Sequence, residues 1–197
     1  MNLFKSLFLI IVFFISTINT RAQQDTILYK SKYGRNIISY NLADLVIFKN
    51  ITFSYERLSS NGMIGYEIPV AIGFGYIENE YSYKPKNVLY TGFSLNYYPT
   101  NQGVMKYFVG TELRGGYAQR KYNIYDYDFY PYTCYTEKSY PYYYKIFINN
   151  GIIYNPTTNL TVLIKLSLGV EYYESGGYHS NGVYQSVAFS FNLGYRF

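Results

Sequence analysis

The stretch Ser186-Val-Ala-Phe-Ser-Phe-Asn-Leu-Gly-Tyr-Arg-Phe197 decides how the rest of the chain is read. Successive side chains of a β-strand point to opposite faces, so any segment can be tested for a period of two. Val187, Phe189, Phe191, Leu193, Tyr195 and Phe197 fall on one face, and Ala188, Ser190, Asn192, Gly194 and Arg196 on the other. One face is apolar or aromatic throughout. The other is small or polar and carries one cation. A strand in the wall of a membrane barrel has this character, with its apolar face toward lipid and its polar face toward the lumen.

The same alternation recurs upstream. Leu160, Val162, Ile164, Leu166, Leu168 and Val170 oppose Thr161, Leu163, Lys165, Ser167, Gly169 and Glu171, with Leu163 as the one breach. Segment 64–76 sets Ile64, Tyr66, Ile68, Val70, Ile72, Phe74 and Tyr76 against Gly65, Glu67, Pro69, Ala71, Gly73 and Gly75. Segments 88–98, 107–118, 142–154, 51–56 and 37–42 alternate in the same sense. These segments predict an all-β chain whose eight antiparallel strands close into a single transmembrane up-and-down β-barrel. Short turns at 59–62, 99–103 and 155–159 alternate with longer polar links at 77–87, 119–141 and 172–185. Short periplasmic turns with long outer loops are the barrel arrangement. The stretch 43–49 breaks the alternation and reads as a short helix or as part of a strand, which leaves ten strands open.

Composition narrows the alternatives. Tyr occurs 29 times and Phe 14 times, Trp is absent, and only 15% of residues are charged. Beyond the N-terminus no segment reaches the roughly 18 consecutive apolar residues of a spanning helix, whereas alternation hides the apolarity of a barrel. At the start, Lys5, an apolar run from Leu7 to Ile15, and the small residues Thr20 and Ala22 around Arg21 have the layout of a cleaved signal peptide. Residues 1–22 are therefore expected to be a leader and 23–197 one barrel domain. The remaining 15 basic and 12 acidic residues are scattered, which argues against nucleic acid as a partner. The single Cys134 excludes an internal disulfide. A soluble lipocalin-like barrel or jelly roll would also alternate. Its polar face would be rich in Lys and Glu, whereas here that face is rich in Gly, Ser, Ala and Asn.

The terminal alternation ending in Phe197 resembles the C-terminal targeting signal of Gram-negative outer-membrane barrels. The stretch Asn50-Ile-Thr-Phe-Ser-Tyr-Glu-Arg57, followed by a turn and a Gly-rich strand, is similar to a segment of small outer-membrane β-barrel families. This resemblance covers nearly the whole of 23–197. It implies the OmpA/OmpX-like eight-stranded fold and a place in the bacterial outer membrane, with the lipid, lipopolysaccharide and barrel-assembly machinery found there as partners. Phe189, Phe191, Leu193, Tyr195 and Phe197 would form the assembly signal. The resemblance implies no activity, because the fold hosts adhesins, anchors, lipid-modifying enzymes and proteins of unassigned role.

Three constellations carry candidate chemistry. Glu56, Glu67, Glu112, Arg114, Lys145, Lys165, Glu171 and Arg196 all fall on the inward face, four acids against four bases. In so narrow a barrel they must pair or suffer desolvation, so they predict a salt-bridged plug, with a small pore as the rival. The stretch 122–144 holds ten tyrosines, among them Tyr122, Tyr125, Tyr127, Tyr130, Tyr132 and Tyr135, which suit a surface for an extracellular protein or glycan. His179, beside Ser180 and upstream of Ser186, is the one histidine on which a lipid A deacylase-like enzyme would depend. No phosphate loop, dinucleotide fingerprint or zinc spacing occurs, so no cofactor, metal or catalytic residue is expected. The expected role is structural or surface interaction.

Overall fold

In the computed structural model, β1 (Asn36–Asn41) leads into α1 (Leu42–Phe48), which is followed by eight further strands. These are β2 (Asn50–Leu58), β3 (Ile64–Gly73), β4 (Lys86–Tyr97), β5 (Met105–Asp126), β6 (Thr133–Ser139), β7 (Tyr142–Tyr154), β8 (Leu160–Tyr173) and β9 (Gly182–Arg196). The structure describes residues 33–74, 86–99, 103–126, 133–140, 142–174 and 182–197. The leader expected at 1–22 lies outside them. All neighbouring strands are antiparallel. The order β1-β2-β3-β4-β5-β7-β8-β9 returns to β1, so eight strands close a ring. The turns after β2, β4 and β7 lie at one end, the short-turn end, together with the start of β1 and the end of β9. The other links lie at the opposite, long-loop end.

One open reading is decided and one expectation changes. Of the two readings of 43–49, short helix or part of a strand, the helix holds as α1, and the closed ring has eight strands. Asn41 caps the helix by accepting from Asp44 N–H at 3.2 Å, and Lys49 ends it in the left-handed region at φ 53°. Leu45 to Phe48 are four consecutive apolar residues, a pattern a two-sided strand cannot satisfy. The link 119–141 is not a plain loop. β5 continues through Asp126 and pairs with β6, from Arg120↔Ser139 to Asp126↔Thr133. Since β7 takes over the pairing with β5 at Tyr117↔Tyr142, the β5–β7 hairpin simply extends beyond the barrel. In 119–126 and 133–139 apolar and polar residues do not alternate, so period two gave no signal there.

The wall is inverted relative to a water-soluble barrel. In β2, Thr52, Ser54 and Glu56 are buried while Ile51, Phe53 and Tyr55 are exposed. The same holds on β8, where Ile164, Leu166, Leu168 and Val170 face out and Lys165 and Ser167 face in. Tyrosines bracket this apolar belt at both ends. Tyr55, Tyr66, Tyr97, Tyr107, Tyr154 and Tyr195 ring the short-turn end, and Tyr142, Tyr144 and Tyr184 are exposed at the other. On β7 the two rings are ten residues apart, Tyr144 to Tyr154. At about 3.3 Å per residue and roughly 40° of tilt that is a band about 25 Å tall, the apolar height of an outer-membrane barrel.

Candidate functional site

The lumen is filled in three layers. At the short-turn end Ile37, Leu58, Tyr98, Phe108, Ile153 and Leu163 form an apolar cluster. Leu163, the one breach in the alternation of its segment, is a member of this layer and not a defect. At the long-loop end Ala71, Tyr90, Ala118, Tyr143 and Tyr173 form a second cluster. The charges lie mostly between them, screened from water at both mouths.

Glu112 is the hub. Fully buried, it accepts from Arg114 Nε at 2.9 Å and Nη2 at 2.6 Å, from Lys165 Nζ at 3.3 Å and from Asn149 Nδ2 at 3.3 Å. Lys165 Nζ also donates to Glu67 Oε2 at 3.1 Å, so from β8 it bridges two carboxylates on β3 and β5, which flank Ser94 of β4 on its two sides. Asn96 Nδ2 spans Glu67 Oε2 at 3.3 Å and Glu56 Oε1 at 3.1 Å, and Tyr98 O–H donates to Glu56 Oε1 at 2.6 Å. Gly65 makes room for this carboxylate, because a Cβ there would collide with Glu56 Oε1. On the other side, the Arg114 guanidinium lies 4.4 Å from the centre of the Tyr90 ring and 5.2 Å from that of Phe147. Tyr90 O–H and Thr52 O–H each donate to Asp44 Oδ2 at 2.7 Å. One connected series of polar contacts thus runs from α1 to the short-turn layer.

The eight inward charges read from the sequence are all on the lumen side, but they form more than one group. Glu67, Glu112, Arg114 and Lys165 share one ion-pair network, which Glu56 joins through hydrogen bonds. Lys145 and Glu171 make a separate pair at 2.6 Å nearer the long-loop mouth. Arg196 sits apart at the short-turn end, donating from Nε to Gly34 O at 2.6 Å and from Nη1 to Asn155 Oδ1 at 3.4 Å. Two lumen charges escaped sequence reading. Lys106 precedes the segment taken to begin at residue 107, although it shares the inward face of Phe108, Gly110 and Glu112. Asp44 sits on α1, where period two does not apply. With them the lumen holds, among the described residues, five acids (Asp44, Glu56, Glu67, Glu112, Glu171) and five bases (Lys106, Arg114, Lys145, Lys165, Arg196).

Little space remains between these side chains. A closed void of about 10 Å³ beside Ser39, Ser54, Glu56, Glu67 and Asn192 has room for one water. Paired side chains that span the lumen in this way hold its wall together.

The other candidates are placed as follows. Phe189, Leu193, Tyr195 and Phe197 are exposed on the outer face of β9 and Phe191 is half-buried there, while Arg196 turns inward. In the extended hairpin, Tyr122 stands opposite Glu137, Tyr125 opposite Cys134, and Tyr135 opposite Ile124. Tyr127, Tyr130 and Tyr132 lie outside the described residues, as do His179 and Ser180. Ser186 Oγ donates to Glu171 Oε2 at 3.0 Å, the same oxygen that holds Lys145. A serine that donates to an ion-paired carboxylate is a hydrogen-bonded wall residue in this arrangement. Among the described residues no three His, Cys, Asp or Glu side chains converge as metal ligands.

No family model matches the chain, and no curated protein matches it in sequence. Among solved structures, the N-terminal beta-barrel domain of Pseudomonas aeruginosa OprF is similar over 83% of this chain and 98% of that chain. The sequence identity is 12% and the TM-score 0.47. What the chain is in architecture, a closed eight-stranded antiparallel barrel with an ion-paired lumen and an apolar exterior, rests on its own strand register.

Proposed function

We propose that the chain is an outer-membrane protein of a Gram-negative bacterium, a sealed and non-catalytic barrel whose long-loop end is an interaction surface. The observation that carries this reading is the exterior: an apolar belt bounded by two rings of tyrosine, around a lumen of paired charges. Exposed to water, that belt would be an aggregation surface far larger than soluble monomers tolerate. In a bilayer the same residues are solvated by acyl chains, and the tyrosines sit at the headgroups. Outer-membrane lipid, lipopolysaccharide and the barrel-assembly machinery are the partners this location brings. The hairpin of β5 and β6, with its tyrosines, is the part that reaches past the membrane toward an extracellular protein or glycan.

The first test is fractionation. The protein should sediment with outer membranes and need detergent for extraction; a mature chain that stays monomeric in buffer alone refutes the proposal. The sealed lumen is tested in planar bilayers, where purified protein should show no discrete conductance steps. Hydrolysis of lipid A by purified protein, lost on His179→Ala, would replace the non-catalytic reading with an enzymatic one. Replacing Tyr125, Tyr127 and Tyr130 with Ser should weaken cell-surface adhesion while the barrel still folds.

A further inference from the structure

The outward face of β5 changes character in steps toward the long-loop end. Leu113 and its cross-strand neighbour Ile146 are exposed aliphatics of the apolar belt. Further along, Tyr117 meets Tyr142 with ring centroids 6.5 Å apart, at the level of the aromatic ring. Next on the same face, Gln119 Nε2 donates to Tyr140 Oη at 3.2 Å. The step after that is Lys121, which the register sets directly opposite Lys138 of β6. Lys86 of β4 stands opposite Gln119 on the other side of β5. Lysines from three adjacent strands thus share one face of the sheet, just beyond the ring.

The register itself brings these positions together. Directly opposed residues of an antiparallel pair have Cβ atoms about 4.5–5.5 Å apart, and diagonal neighbours stand at about 7–8 Å. Lys121 and Lys138 hold the first relation, Lys86 and Lys121 the second. Like charges directly opposite destabilise a hairpin, and an anion lying over them reverses that sign. Alternation puts the described acids of the hairpin, Asp126 and Glu137, on its opposite face. On the outward face, the described acid at this end is Glu174, whose N–H donates to Tyr142 O, four residues short of Lys138. The outward positions Ile72 of β3 and Val183 and Gln185 of β9 carry no charge, and Lys49 stands two strands from β4, at the start of β2. The positive charge is therefore local to the base of the hairpin.

We propose that Lys86, Lys121 and Lys138 form a binding site for the phosphates of a lipopolysaccharide molecule in the leaflet at the long-loop end. Ring tyrosines mark headgroup level. Two residues of strand, about 6.6 Å, carry Lys138 beyond Tyr140, and the flexible four-carbon stem of a lysine lets its ammonium reach back to the headgroups. Ammonium groups bind phosphate as point charges, and three of them match a headgroup with more than one negative charge. A face that continues the lipid-facing wall adjoins the membrane, so the anion nearest to it is that of a lipid. The inference rests on the membrane reading above and adds to it a headgroup, a leaflet and three residues.

The test uses the full chain reconstituted in phosphatidylcholine vesicles that carry bisphosphorylated lipid A and dephosphorylated lipid A in equal parts, with retained lipids counted by native mass spectrometry. The wild-type protein should retain the bisphosphorylated form in preference to the other. Lys121→Gln should reduce that preference about fivefold and Lys121→Gln with Lys138→Gln about thirtyfold, while Lys121→Arg with Lys138→Arg keeps most of it. Lys49→Gln removes the same charge elsewhere at this end and should leave the preference unchanged. Equal retention of both forms by the wild type overturns the site, and so does a double Gln variant that keeps its preference. A loss at Lys49→Gln as large as at Lys121→Gln would mean net charge and no site. Displacement of the lipid by inorganic phosphate would mean a free-anion site and would also overturn the assignment. A chain that fails to enter the vesicles refutes the membrane reading itself, which is a different result from insertion without preference.

Discussion

Two buried lysines in one lumen have opposite surroundings. At mid-height Lys165 Nζ lies 3.1 Å from Glu67 and 3.3 Å from Glu112. Near the short-turn end Lys106 is equally buried, yet its Nζ has no hydrogen-bond partner among the described residues and lies 5.3 Å from the centre of the Tyr98 ring. The same side chain therefore joins two walls in one place and is a desolvated charge in the other. Burial alone does not say what a charge contributes; the donors and acceptors it reaches do.

The largest effect should come from breaking the bridge. Lys165→Met leaves two buried carboxylates with reduced compensation and should lower stability by about 3–5 kcal/mol, read as a shifted denaturant midpoint of the refolded barrel. A loss under about 1 kcal/mol would mean that water enters the central layer. Next is Tyr98→Phe, which takes the 2.6 Å donor from Glu56 and should cost about 1.5–3 kcal/mol, the range for a hydrogen bond to a charged group. A double-mutant cycle of Lys165→Met with Glu67→Gln should then show a coupling of about 0.5–3 kcal/mol; additive losses would dissolve the bridge. The smallest effect is expected at Lys106→Met, where an apolar chain replaces an ammonium without a hydrogen-bond partner. Stability should change by less than about 1 kcal/mol or rise. A loss as large as that of Lys165→Met would erase the distinction between the two sites.

What the sequence discloses follows from where a strand has two unlike faces. β9, β8 and β3 are legible because lipid and lumen impose opposite chemistry on alternate residues. The extension of β5 and the whole of β6 are not, since their residues carry no alternation of apolar with polar. The inward charges can be assigned to a face by parity alone, but their grouping cannot. Nothing in the spacing of Glu67, Glu112 and Lys165 says that three strands bring them together, while Arg196 is held at the rim by Gly34 and Asn155. Leu163 is the instructive exception. Parity puts an apolar residue on the polar side, and the structure shows that the lumen has an apolar layer at that height.

The shortness of β1 has a consequence for how the barrel comes to be. Only five residue pairs join β1 to β9, against fourteen between β8 and β9, and α1 covers the notch above Asn41 by packing against β2 and β9. The two edges of this seam are distant in the chain: Asn41 Oδ1 accepts from Phe191 N–H across 150 residues. Every other junction of the ring joins neighbouring segments of a hairpin and can zip locally. The seam has the longest loop to close and only five residue pairs, no more than the local β1–β2 junction, to repay it, so it should be the last junction to form and the first to part.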